Sequence, residues 1–227
     1  MTSSRKEKLL GRCLEIVEPP RKFTCLMCGD CCRASPISLL PHEQLVIIRL
    51  AKKLGVKVDF TRGYTVYDRL NNVNIVLTYH MQLTEKGVCP FLRDDNKCKI
   101  HRLYKPLICR SFPYTIKNVS YFFDPITRTA FHRSEYTISG ACKFIREHAG
   151  RLEFYLGNEA FVRKFFEDEV RAGYLMEKYR SMYMAALTYL WKMNYVDLAS
   201  KEHKGAVYVN AYAFIRKFIP YFAIAPS

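Results

Sequence analysis

The sequence predicts an α+β chain: a small irregular cysteine-rich module with short antiparallel strands, preceded by an N-terminal helix and closed over by C-terminal helices. Three observations lead there. Helix-period apolar stripes lie over residues 4–18, 41–54 and beyond 150. Between them run short β-prone segments broken by Gly, Asp and Asn turns. Eight of the nine cysteines fall between positions 25 and 142, so the middle of the chain has its own chemistry. The expected divisions are 1–20 (helix), 21–150 (cysteine-rich domain) and 151–227 (helical segment packed on it). With 227 residues, 49% apolar and 14% aromatic, the chain can build a core.

Leu10, Cys13, Leu14 and Val17 form the first amphipathic stripe, and Pro19-Pro20 ends it. Cys13 on that stripe reads as a packed thiol. The cysteine cluster follows as a compact loop, with Gly29 giving the backbone freedom between Cys28 and Cys31. Residues 41–54 predict a helix with Pro41 near its start, Lys52 and Lys53 in its last turn and Gly55 beyond. Residues 73–83 are β-prone, and residues 91–100 read as a short hairpin around the turn at 93–96, which would bring Cys89 near Cys98. A helical turn over 102–106 would deliver Cys109. Short strands are expected at 111–116, 120–123 and 128–132, with Asp124-Pro125 as a turn. Residues 151–171, 173–195 and 206–219 read as helices whose aromatic stripes, such as Tyr179, Tyr183 and Leu190, pack inward.

Cys25-x2-Cys28-x2-Cys31-Cys32 places four thiols within eight residues. Adjacent cysteines are too close to bond to each other without strain, and an odd count leaves one thiol over. The charged N-terminus lacks the apolar run of a secretory signal, so a reducing, cytoplasmic setting is expected, where such spacing reads as metal binding. If the segment is extended, Cys31 and Cys32 face opposite ways and serve different ions, or one of them packs. Eight thiols suit two four-coordinate centres, or one iron–sulfur cluster with a second site. Zinc and iron stay equal candidates on spacing.

These residues resemble the YkgJ-like cysteine-cluster family, known for a CxxCxxCC opening followed by a second cysteine block. The second block here is Cys89-Pro90-Phe91-Leu92, then Cys98-x2-His101 and Lys105-Pro106-x2-Cys109-Arg110-x-Phe112-Pro113. The resemblance spans roughly residues 20–145. It implies zinc or iron chelation through Cys25, Cys28, Cys31, Cys32, Cys89, Cys98, Cys109 and Cys142. Two departures are His101 where the family has Tyr, and Lys105 where it has Arg. Some proteins with this signature are described as flagellin lysine-N-methylases, so cluster-dependent redox or methyl-transfer chemistry is the enzymatic alternative. His101 is expected to hydrogen-bond behind the ligands rather than ligate, and Arg110 either to support the thiolates or to face solvent.

The net charge is +15, of which residues 151–227 supply +3 (11 Lys/Arg against 8 Asp/Glu), leaving +12 for the cysteine-rich part. Metal-bound thiolates offset some of this. The rest favours an anionic partner, RNA or DNA, making a basic nucleic-acid module with structural zinc the third candidate; a protein partner is the other expectation. No run is long enough to span a membrane. Gly-x-Gly is absent, which removes the dinucleotide loop, as are the phosphate loop and the serine elbow. Glu167, Asp168 and Glu169 read as a salt-bridged helix face. His42 and His148 read as structural or solvent-exposed histidines at helix ends, and nothing assigns His80 or His132.

Overall fold

The computed structural model describes residues 22–34 and 36–224. The helix expected over 4–18, with Cys13, lies outside them. In chain order the first elements are α1 (Cys31–Ala34), β1 (Ile37–Leu39), α2 (Pro41–Leu54), β2 (Phe60–Arg62), β3 (Thr65–Asp68), β4 (Val73–Val76) and β5 (Tyr79–Met81). Then follow α3 (Leu107–Ser111), β6 (Tyr114–Asp124), β7 (Thr129–Ile138), α4 (Lys143–Glu147), α5 (Ala149–Leu156) and α6 (Glu159–Phe165). The chain finishes with α7 (Glu167–Lys192), β8 (Leu198–Ala199), β9 (Val207–Asn210) and α8 (Ala211–Phe218). The architecture is α+β.

Helix α2 has the predicted bounds. Pro41 lacks an N–H where the first turn needs none, and Gly55 ends the helix in the left-handed region at φ 64°. Strands β1, β5 and β2 form an antiparallel sheet in that order. A second sheet runs β8-β3-β4-β9, with β4 and β9 parallel. The third is the β6–β7 hairpin.

That hairpin replaces the three short strands expected over 111–132. Lys117 does not end the strand, because a register shift between Ile116 and Asn118 absorbs it as a bulge. Asp124 closes the turn by accepting the Ile126 N–H and the Thr127 hydroxyl. The helix expected over 151–171 is divided into three. Asn158 accepts the Phe161 N–H as an N-cap, and a further break falls at Phe166, although the apolar period runs through both. Residues 207–210, expected helical, pair with β4; Asn210 then caps α8 by accepting from Tyr212 and Ala213.

The main core lies between α7, the four-stranded sheet and the hairpin. Tyr179, Tyr183, Leu187 and Leu190 supply the α7 face, as their spacing predicts. A second core sits on the three-stranded sheet and includes Ile47, Met81, Cys89, Phe91 and Ile100, with Cys32, Cys98 and Cys109 packed against it. A third gathers Phe23, Cys142, Leu152, Phe165 and Phe166. Cys32, Cys89, Cys98 and Cys109 thus belong to the second core and Cys142 to the third, while Ile108, next to Cys109, packs against both the second core and the main one. Among the described residues, no helix is long and apolar enough to cross a membrane.

Candidate metal centre

Short-range hydrogen bonds set each cysteine in place. Gly29, at φ 78°, turns the chain so that the Cys32 N–H donates to its carbonyl and α1 begins. The Cys89 N–H donates to the Cys32 carbonyl at 2.7 Å, tying the first block to the second. Leu92 and Cys98 form an antiparallel bridge, and the Lys99 N–H reaches the Phe91 carbonyl, which gives the predicted hairpin. The turn expected at 102–106 comes earlier: the Leu103 and Tyr104 N–H groups both close on the Ile100 carbonyl. Pro106 then starts α3, which carries Cys109.

Cys31, Cys32, Cys89, Cys98 and Cys109 border one cavity of about 610 Å³, with Cys25 at its edge. Behind it, Cys25, Cys28, Cys31 and Cys142 border a much smaller cleft of about 30 Å³. All eight are free thiols. Thus every cysteine of the expected set lies on one cavity or the other, with Cys25 and Cys31 touching both.

Cys31 and Cys32 do not take the extended geometry that would set them on opposite faces. They open a helical turn, so their side chains diverge by about 100° rather than 180°. Their sulfurs are 4.0 Å apart. Two thiolates on one tetrahedral zinc, each at about 2.3 Å, stand roughly 3.8 Å apart. Adjacent cysteines here can therefore serve a common ion.

Without a cation these thiols resist ionisation. The hydrogen bond to Cys32 and then burial push Cys31 up. In Cys32 the Cys31 contact pulls down, but the Cys89 thiol and burial outweigh it, giving about 12. Burial raises Cys98, Cys142 and above all Cys109. Lys105 works against burial at Cys31, Cys98 and Cys109. It is the cation these thiols share. Arg110 instead acts on the Tyr104 and Tyr179 hydroxyls. His101 is exposed at the rim of the larger cavity, with burial and the charges of Lys105 and Arg102 lowering its pKa.

One supporting residue escaped sequence reasoning. Glu43 on α2 is fully buried and accepts the Leu107 N–H at 2.7 Å, the Leu40 N–H at 3.0 Å and the Tyr104 hydroxyl at 3.2 Å. It anchors the start of α3 two residues before Cys109. The only sequence signal was a carboxylate three residues into a helix, the reciprocal half of a capping box. Glu167, Asp168 and Glu169 fall in the first turn of α7 rather than mid-helix, and Glu167 and Asp168 pair with Lys22. His42 is buried against Tyr183, and His132 is bonded to Glu177.

As donors, clustered thiols suit zinc and iron over hard ions. Among the described residues, no three His, Cys, Asp or Glu side chains are grouped so that they could hold a metal ion as they stand. Residues 24–132 match the family model described as "CxxCxxCC: Putative zinc- or iron-chelating domain". No curated protein and no solved structure matches the chain.

Proposed function

We propose that this protein, whose residues 24–132 match the family model of a zinc- or iron-chelating CxxCxxCC domain, chelates zinc or iron through two cysteine sets. One set is Cys32, Cys89, Cys98 and Cys109 on the larger cavity; the other is Cys25, Cys28, Cys31 and Cys142 on the smaller cleft. The observation that carries the reading is the arrival of the first four thiols on one cavity from separate turns of the chain. Cys31, next to Cys32, borders both spaces and links the sets.

Bound metal would supply positive charge that holds the thiolates ionised, and iron would add electron transfer. The chain's own contributions are specific. Lys105 lowers the cost of ionising Cys31, Cys98 and Cys109 against the burial that raises them, and Glu43 fixes the segment that carries Cys109. The smaller cleft has about the volume of one water molecule, which suits a closed structural site. The larger cavity has room beyond an ion. Lysine methyl transfer finds little support there: the cavity is lined by Arg93, Lys97, Lys99, Arg102 and Lys105 and by no carboxylate, so a cationic lysine substrate would be repelled.

The test is the metal content and visible spectrum of protein purified without oxygen, for the parent, Cys109→Ala and Cys142→Ala. About one zinc per four cysteines, or iron with sulfide and a brown absorbance, supports chelation. Each variant should lose metal from its own set and keep the other. Metal-free parent protein that stays folded and takes up neither ion on reconstitution would reject the proposal.

A further inference from the structure

The larger cavity is far bigger than the cysteines that border it require. At about 610 Å³ it falls in the range of small-molecule sites. Part of the lining is apolar, from Ile37, Met81, Phe91, Ile108 and Phe112. Part is cationic, from Lys99, Arg102 and Lys105 together with Arg93 and Lys97. Asp95 engages Arg93 at 3.1 Å and Lys97 at 4.0 Å, so those two charges are already answered. Among the described residues Lys99, Arg102 and Lys105 form no side-chain ion pair within 4 Å, although Glu169 feels the charge of Lys105. Four thiolates and one divalent ion would leave a charge of two, fewer than these three cations supply.

We propose that this cavity is a binding site for a small organic anion, with a phosphate or carboxylate head on Arg102 and Lys105 and an apolar body on the apolar part of the lining beside the cysteines. The inference rests on the metal reading only for its placement. Arg offers a planar fork and Lys a point charge, the pairing that oxyanions use. A nucleic acid strand would need an extended cationic track, whereas these charges line a single open cavity that they share with apolar side chains.

Calorimetric titration of the purified full chain with phenyl phosphate tests this, with benzyl alcohol and benzylamine as neutral and cationic counterparts of the same body. Saturable binding of one phenyl phosphate per chain is expected, with benzyl alcohol much weaker and benzylamine not bound. The paired substitution Arg102→Gln and Lys105→Gln should weaken phenyl phosphate about tenfold or more. Lys105→Arg should keep binding within about threefold of the parent, which separates lost charge from misfolding. Absence of saturable binding, equal binding of the alcohol or amine, or indifference to the paired substitution would each overturn the proposal. Metal is assayed in the same samples. Loaded protein that ignores phenyl phosphate rejects the anion site alone, whereas charge-dependent binding by protein that cannot be loaded rejects the metal reading alone.

Discussion

Replacing Glu43 is the sharpest test of how the cysteine segments are held. Its carboxylate is fully buried and accepts two backbone N–H groups, from Leu107 and Leu40, besides the Tyr104 hydroxyl. Alanine leaves both N–H groups buried and unanswered, at about 1–3 kcal/mol each. Tyr104 is only half-buried and can turn to water, so it adds little. Against this, removing a carboxyl whose pKa burial has raised relieves some desolvation. The net loss should be about 2–4 kcal/mol. Glutamine retains one acceptor oxygen for Leu107 and Tyr104 but turns an amide donor toward Leu40, so it should lose about 1–2 kcal/mol. Urea denaturation of the loaded protein measures both. Zinc competition should show metal leaving the Cys109 set before the Cys142 set, since only α3 has lost its anchor. An alanine variant within about 0.5 kcal/mol of the parent, or a glutamine variant less stable than the alanine one, would refute the anchoring argument.

Other consequences follow from charge and backbone. Burial pushes Glu177 up, but hydrogen bonds from His132 and Tyr136 and the Arg180 charge overcome it and hold the carboxyl at about 2. This depressed group stabilises the fold above its unfolded value near 4.5, and that contribution, on the order of 3 kcal/mol, should vanish as pH falls from 4.5 toward 2. Glu177→Gln should flatten this part of the acid-denaturation curve. Lys105→Gln removes the charge that favours the Cys31, Cys98 and Cys109 thiolates, so the pH at which zinc half-occupies the site should move upward. An unmoved midpoint would show that Lys105 acts elsewhere. Gly29→Ala must adopt φ 78° and push its Cβ to 2.7 Å from an Arg33 guanidinium nitrogen, close to the Asn96 carbonyl. A loss of about 1–2 kcal/mol in thermal or urea unfolding is expected.

Local signals were legible where one segment carries its own cause. Helix α2 has its stop and start residues in its own sequence, and the 91–100 hairpin has its turn. The cysteine spacing marked the eight thiols, and all eight border the two cavities. What could not be read depended on partners far along the chain. Val207 and Val209 are β-branched, but residues 207–210 became a strand through pairing with the edge that β4 offers. Cys31 and Cys32 looked extended until Gly29 started a helical turn beneath them. Nothing near Glu43 in the sequence announces that Leu107, 64 residues on, will donate to it. Arg110 attracted attention by adjacency, whereas Lys105, four residues before Cys109, is the cation the sulfurs feel.

The parallel pairing of β4 with β9 sets an order of events during synthesis. The second sheet cannot be completed until residues 207–210 leave the ribosome, although the last of the eight thiols, Cys142, emerges well before. At ~5–20 residues per second this interval lasts on the order of ten seconds. For that time all eight cysteines stand outside the ribosome on a chain whose larger core still lacks the β9 edge and α8.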